Sequence, residues 1–302
     1  MIRVLVTGAG GQVGGEVARE LDGIAHVVAH DRTTLDLARP DQITARVREV
    51  RPDVIVNAAA YTAVDRAETE EALAHAVNAT APGIFAEEAK RSGALLVHFS
   101  TDYVFDGTAT RPYVESDAAN PPGVYGRTKL AGEEAVAASG CAHLTLRTSW
   151  VYGPRGKNFM LTMLRLAAAQ PELRVVDDQR GAPTSGRQLA RAVRELLAGG
   201  GGARTMEVAG VARAKDAAGL YHASAAGETT WFRFAQEIFA QRARMLPEFT
   251  APRVIPIATS EYPTPARRPA YSVLSSDKLA RALDVRIPDW RAGLEEALSA
   301  LP

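Results

Sequence analysis

Apolar residues along the first half of the chain follow two alternating rhythms. Ile2 to Thr7 is a continuous, largely β-branched run, the pattern of a strand covered on both faces. A glycine-rich turn follows, and then Val13, Val17 and Leu21 recur at helical spacing. The alternation repeats with a strand at His26 to Ala29, a helix opened by Pro40 and carrying Ile43, Val47 and Val50, and a strand at Asp53 to Ala58. Helices are predicted around Glu68 to Val77 and at Pro82 to Arg91, then a strand from Leu95 to Ser100. A helix around Tyr125 to Ala138 and a strand from Leu144 to Ser149 complete the series. Strand and helix in strict alternation predict an α/β fold built on a doubly wound parallel sheet, with ligands at the carboxyl ends of its strands.

Beyond Trp150 the rhythm loosens. Asn158 to Gln170 and Gly186 to Leu197 read as helices and Leu173 to Asp177 as a short strand. A short segment at Gly219 to Ser224, an aromatic helix from Trp231 to Phe239 and a proline-rich extended stretch from Val254 to Pro269 follow. Ala198 to Arg204, with its run of glycines, is expected to be a mobile loop. The division expected is a dinucleotide-binding domain over 1–150, to which some later segments return, and a smaller substrate-binding lobe over 151–302.

Composition adds mainly exclusions. The 302 residues carry 35 Lys and Arg against 35 Asp and Glu, so no net charge draws the chain toward nucleic acid or an anionic membrane surface. No apolar run approaches the roughly 20 residues of a membrane span, and the N-terminus lacks the layout of a signal peptide. A cytoplasmic protein, monomer or homodimer, is expected. The single cysteine, Cys141, precludes an internal disulfide and has no surroundings that would activate it. The six histidines show no paired metal spacing, and His98, inside a buried strand pattern, reads as a core residue.

The candidate chemistry lies at the strand ends. Gly8, Gly11 and Gly14 give a GxxGxxG spacing between the first strand and the first helix, in a Rossmann-like context. Missing side chains permit a tight turn, let the backbone approach a pyrophosphate and let helix pack on strand. Asp31, ending the second strand, is placed to take the adenosine ribose hydroxyls, whereas the adjacent Arg32 suits a 2′-phosphate, so NADH and NADPH stay open. Asp36 and Leu37 would accept from the adenine amino group and pack on its ring. Tyr125 and Lys129 form YxxxK, one turn apart on a helix; a nearby ammonium is expected to lower the phenol pKa and ready it for proton exchange with a carbonyl. Thr101 closes a strand, where its hydroxyl can hold the same oxygen.

The glycine turn and YxxxK resemble those of extended short-chain dehydrogenase/reductases. Within them, the chain is similar to the dTDP-4-dehydrorhamnose reductase family in the blocks at 52–65, 100–105, 147–152, 178–184 and 262–269. The resemblance runs from Arg3 to about Trp290 and implies reduction of the C4 keto group of a dTDP-linked deoxysugar by NADPH or NADH. It implies Tyr125 as proton donor, Thr101 as oxygen holder, and Lys129 as tuner of Tyr125 and holder of the cofactor. By the same resemblance Gly11, Gln12 and Val13 contact the pyrophosphate, Ala60, Tyr61 and Thr62 line the cofactor, and Thr101, Asp102 and Trp150 touch the sugar nucleotide. Asn158, Gln179 and Arg267 are further candidates for diphosphate or thymine. Some family members are dimers bridged by magnesium through glutamates. Glu16 fits the first of those positions, but Arg187 and Arg291 stand at the others, and arginine cannot ligate a hard cation, so no metal is expected. Two other readings share these residues: a reductase or epimerase of another nucleotide 4-keto sugar, and a cofactor-binding regulatory subunit without chemistry.

Overall fold

Alternation within the apolar runs decides how the sheet is covered. The computed structural model describes residues 1–198 and 207–301. Six parallel strands, β1 (Arg3–Thr7), β2 (His26–His30), β3 (Val54–Asn57), β4 (Leu95–Thr101), β5 (His143–Thr148) and β6 (Gly219–His222), lie in the order β6-β5-β4-β3-β1-β2. Val4, Val6, Val54, Val56, Leu95 and Val97 enter one core with Val17 of the helix Gln12–Glu20 and Leu189 and Val193 of the helix Gly186–Ala198. Their neighbours Leu5, Ile55 and Leu96 enter a second core on the opposite face, with Ile43 and Val47 of the helix Pro40–Val50 and Phe85 of the helix Ala81–Ser92. This is the doubly wound α/β arrangement expected.

The order reverses at β1, which pairs with β2 on one side and β3 on the other. The chains leaving β1 and β3 therefore diverge and open a crevice at the carboxyl edge of the sheet. A row of buried polar side chains crosses the sheet here: Thr7 Oγ1 donates to Asn57 Oδ1 at 2.7 Å, and Asn57 Nδ2 lies 3.2 Å from His98 Nδ1.

Two features differ from the sequence expectation. The separate helices expected at Glu68 to Val77 and Pro82 to Arg91 are instead joined: Glu71–His75 runs through a wide π turn, Ala76–Thr80, directly into Ala81–Ser92. Pro82 has no N–H for the carbonyl of Asn78 four residues back, and the helix widens where that bond is missing. The helix Val124–Ser139 packs onto the freed carbonyl through Gly132, where an added Cβ would lie only 2.1 Å from Asn78 O. The segment Gly219 to Ser224, read only as a short element, supplies β6 at the edge beside β5.

The strand Arg253–Ile257 pairs in parallel with Glu172–Val176. The chain then returns to the helix Val64–Ala67 after β3, where Asp65 accepts from the backbone of Ala266 at 3.2 Å and pairs with Arg268 at 3.1 Å. The glycine-rich stretch expected as a mobile loop lies outside the described residues from position 199 onward. Among the described residues no helix is long and apolar enough to cross a membrane.

Candidate active site

The crevice is a cavity of about 790 Å³ lined from both sides of the β1–β3 divergence. At one end Gly8 adopts φ +72°, and a Cβ there would meet the backbone of Ala59 at 2.9 Å. The turn thus rests directly on the chain leaving β3, a contact only glycine allows. A Cβ on Gly14 would lie 2.3 Å from Gly8 O, so the first helix also starts in contact with the turn. Gly11 is the N-cap and contributes no capping side chain, so the first-turn N–H groups have no side-chain cap beside a cavity that Gly8, Gly11, Gln12 and Val13 line. Gly14 itself is buried packing outside the lining. The missing Cβ atoms leave the space and the amide donors that a dinucleotide pyrophosphate requires.

Asp31, Arg32, Asp36 and Leu37 line the same cavity beyond β2. Asp31 is also a turn-former. Its Oδ1 accepts from the backbone and hydroxyl of Thr33 at 2.9 and 2.7 Å and from those of Thr34 at 3.2 Å each, which holds its carboxyl below the usual range. Among the described residues its Oδ2 accepts no bond. Asp36 Oδ1 accepts from Ala38 N at 3.0 Å, and Leu37 is buried against the second core.

At the other end Ala60, Tyr61, Thr62, Thr101, Asp102, Tyr125, Lys129 and Trp150 share the cavity wall. Asn78 ties these elements together. Its side chain accepts from Tyr61 N at 2.8 Å and donates to Tyr61 O at 3.0 Å and to Thr128 Oγ1 at 3.2 Å, joining the loop after β3 to the helix of Tyr125. Glu68 Oε1 accepts from Val124 N at 2.9 Å and caps that helix.

The electrostatics differ from expectation at Tyr125. Its pKa is pushed up to about 12, mainly by burial, with the Thr101 hydroxyl pulling it down and the charge of Asp102 adding to the rise. Lys129 does not lower it, because its Nζ is turned to the backbone carbonyl of Phe99 at 2.6 Å. Burial brings Lys129 itself down to about 8. Asp102 is buried and pushed up to about 6, though Thr101 and Ser149 each donate to it at 3.0 Å. His98 is fully buried and its pKa lies well below the ordinary value through desolvation, with Nε2 unpartnered. Burial raises the Cys141 thiol.

Trp150 occupies a conformation that its sequence does not announce. Its φ is +47°, unusual for a bulky residue, and its ring stacks on Trp231 with centroids 3.5 Å apart. Gly181 makes room, since a Cβ there would lie 2.4 Å from the Trp150 ring. Trp231 also lines the cavity and donates Nε1–H to Gln179 Oε1 at 3.1 Å. The sequence reading placed it only at the head of an aromatic helix. Lys157 lines the cavity too, in a loop whose glycine and basic residue were the available signal.

Three weaker candidates do not line the cavity. Asn158 caps the helix Phe159–Ala167 and donates to Gln12 Oε1 at 2.9 Å. Gln179 supports Trp231, and Arg267 is exposed while its neighbour Arg268 turns to Asp65. Glu16 pairs with Arg19 at 2.6 Å, and Arg187 and Arg191 face Glu20. Among the described residues no group of three acidic, histidine or cysteine side chains is placed to hold a metal.

Comparison with known proteins sets this geometry in a family. A family model described as the RmlD substrate binding domain matches residues 2–302. The chain is 48% identical to the dTDP-4-dehydrorhamnose reductase of Burkholderia thailandensis, over 96% of each chain. It is 41% identical to the enzyme of that name from Escherichia coli, over 99% of this chain and 98% of the relative. Its fold is similar to the crystal structure of dTDP-4-dehydrorhamnose reductase from Bacillus anthracis in complex with NADP, with a TM-score of 0.88, 34% identity and 99% of each chain covered. The chain belongs to the dTDP-4-dehydrorhamnose reductase family, NAD(P)H-dependent oxidoreductases built on the short-chain dehydrogenase/reductase fold.

Proposed function

We propose that this protein reduces the C4 keto group of dTDP-4-dehydro-β-L-rhamnose to give dTDP-L-rhamnose, with Tyr125 as proton donor. The observation that carries the reading is that Thr101, Tyr125 and Lys129 share one cavity wall with the glycine turn that fits a dinucleotide. A bound NADPH or NADH supplies the hydride for the carbonyl carbon. Gly8, Gly11, Gln12 and Val13 hold its pyrophosphate, Gly14 lets the helix close on the turn, and Asp31, Asp36 and Leu37 hold the adenosine end. Ala60, Tyr61 and Thr62 border its path toward the reacting centre.

The protein side of the chemistry follows from the shifted groups. A phenol raised to about 12 is protonated at neutral pH, so Tyr125 enters the reaction with its proton in place. It is still a stronger acid than an alcohol, so transfer to a developing alkoxide runs downhill. Thr101 holds the same oxygen once its hydroxyl hydrogen, donated to Asp102 at 3.0 Å before substrate binds, turns to the substrate, while Tyr103 N keeps the hydroxyl oxygen in place at 3.2 Å. Lys129, mostly cationic at neutral pH, holds the cofactor ribose. Asp102 and Trp150 meet the sugar, the indole offering a flat apolar face to a ring that bears a methyl group.

The test is NADPH oxidation with dTDP-4-dehydro-L-rhamnose, wild type beside Tyr125→Phe. Turnover is expected in the wild type and a loss of about 10²- to 10⁴-fold in the variant, with NADPH affinity retained. A folded, NADPH-binding wild type that ignores this substrate would sink the assignment. An active enzyme indifferent to Tyr125→Phe would remove Tyr125 from the chemistry.

A further inference from the structure

The helix that presents Tyr125 and Lys129 carries a third ionisable group in line with them. Glu133 follows Lys129 by one turn, the spacing that places side chains on a common face, and it too is buried. Arg147 of β5 grips its carboxylate, with Nε at 2.9 and 3.1 Å from the two oxygens and Nη2 at 2.6 Å. The hydroxyl of Ser100 on β4 donates to the same carboxylate. Arg147 is itself buried, stands 5.0 Å over the Phe105 ring and leaves Nη1 without a partner.

One buried carboxylate is therefore bonded to one buried cation, Arg147, and stands one helical turn from another, Lys129. The Lys129 ammonium donates to a neutral group, the Phe99 carbonyl. Tyr125 on its own helix and His98 on β4 are neutral by virtue of burial, His98 being held down further by Lys129 and His143. Asp102, at the end of β4, is bonded by Thr101 and Ser149 and acts on Tyr125. A pin between helix and β5 needs no charge, because apolar side chains of similar volume join buried elements at least as well.

We infer that Glu133, fixed by Arg147 and Ser100, is a positioning residue whose negative charge keeps Lys129 protonated inside the site. Burial draws the ammonium down to about 8, and Glu133 is the group that opposes it. Without that charge, burial acts unopposed, and the lysine sheds its proton across the neutral range. The inference rests on Lys129 as the working cation of the proposed reaction.

Lys129 is one of five lysines, so its titration is readable by amine acetylation across a pH series with each lysine resolved by mass spectrometry. Glu133→Gln is expected to move the midpoint of Lys129 labelling down by about one pH unit or more, with Glu133→Asp restoring most of it. The alkaline limb of kcat is expected to move in the same direction. A folded Glu133→Gln protein with the wild-type midpoint overturns the inference. Because that variant strands Arg147, Glu133→Gln/Arg147→Met is run beside it, and the same downward shift is expected. An unchanged midpoint there, or loss of the fold in both variants, assigns the network to structure alone and overturns the inference as well. Labelling needs neither substrate nor cofactor, so a shifted midpoint without turnover counts against the substrate reading only.

Discussion

The two ends of the cavity are built by opposite means. At the glycine turn the work is done by backbone: amides at a helix start, and contacts so close that Gly8 and Gly14 have no room for a Cβ. At the tyrosine end it is done by side-chain charge held out of water, with Lys129, Asp102, Glu133 and Arg147 all buried within one neighbourhood. A backbone site has one geometry and no titration. A site of buried charges is sensitive to pH and to each neighbour, because in a low dielectric every unpaired group is costly. The first should fail through sterics and the second through electrostatics.

The sharpest break of the comparison is Gly14→Ala. The new Cβ would meet Gly8 O at 2.3 Å, Gly8 C at 2.6 Å and Thr7 O at 2.7 Å, all backbone atoms that cannot rotate away. Helix and turn must separate, at a cost of up to about 3 kcal/mol, so NADPH affinity is expected to fall by roughly 100-fold. The fall should be the same at pH 6 and pH 8. A titration calorimetry series showing near wild-type affinity would mean that the turn, not the helix contact, sets the cradle.

That difference also governs what could be read beforehand. Gly8, Gly11 and Gly14, and likewise Tyr125 and Lys129, are close in sequence, so their spacing alone carries the geometry. Glu133 and Arg147 sit on separate elements, and a charge in a helix or strand pattern ordinarily signals a solvated face. Only the burial of β5 on both sides reveals Arg147 as an interior cation. The stacking of Trp150 on Trp231 depends on a positive φ and on Gly181, none of which a local pattern encodes. The π turn at 76–80 was hidden because Pro82 reads equally well as the start of a new helix, and β6 because its four residues follow no strong apolar run.

Asp102 tests the electrostatic end through stability. Its folded pKa of about 6 lies above its unfolded value near 3.8, so the native state holds the proton more tightly. A raised acid contributes stability that is full below the unfolded value and is lost as pH rises through the folded one. The window here is pH 4 to 6, and the shift amounts to about 3 kcal/mol. Asp102→Asn removes the titration while retaining groups that bond Thr101 and Ser149. Denaturant melts at pH 4 and pH 7 should show the wild type losing about 2 kcal/mol relative to the variant over that interval. Parallel behaviour at the two pH values would place the carboxylate in contact with solvent.

The smallest expected effect lies at the adenosine end, where backbone and charge recognition meet in one residue. All four bonds that the Asp31 carboxylate accepts from Thr33 and Thr34 fall on Oδ1, an atom that asparagine keeps. Asp31→Asn therefore leaves the turn intact and replaces only Oδ2 with a donor. The amide nitrogen that replaces Oδ2 cannot accept from a ribose 2′-hydroxyl, but it can donate to a 2′-phosphate, and the exposed Arg32 beside it is then no longer offset. Affinity for NADH is expected to fall a few-fold and affinity for NADPH to rise, each by less than about 1 kcal/mol because the site is solvated. Fluorescence titration of both cofactors gives the ratio directly. If the two affinities fall together, Asp31 serves the turn rather than the ribose, and even this end of the site is recognised through the backbone.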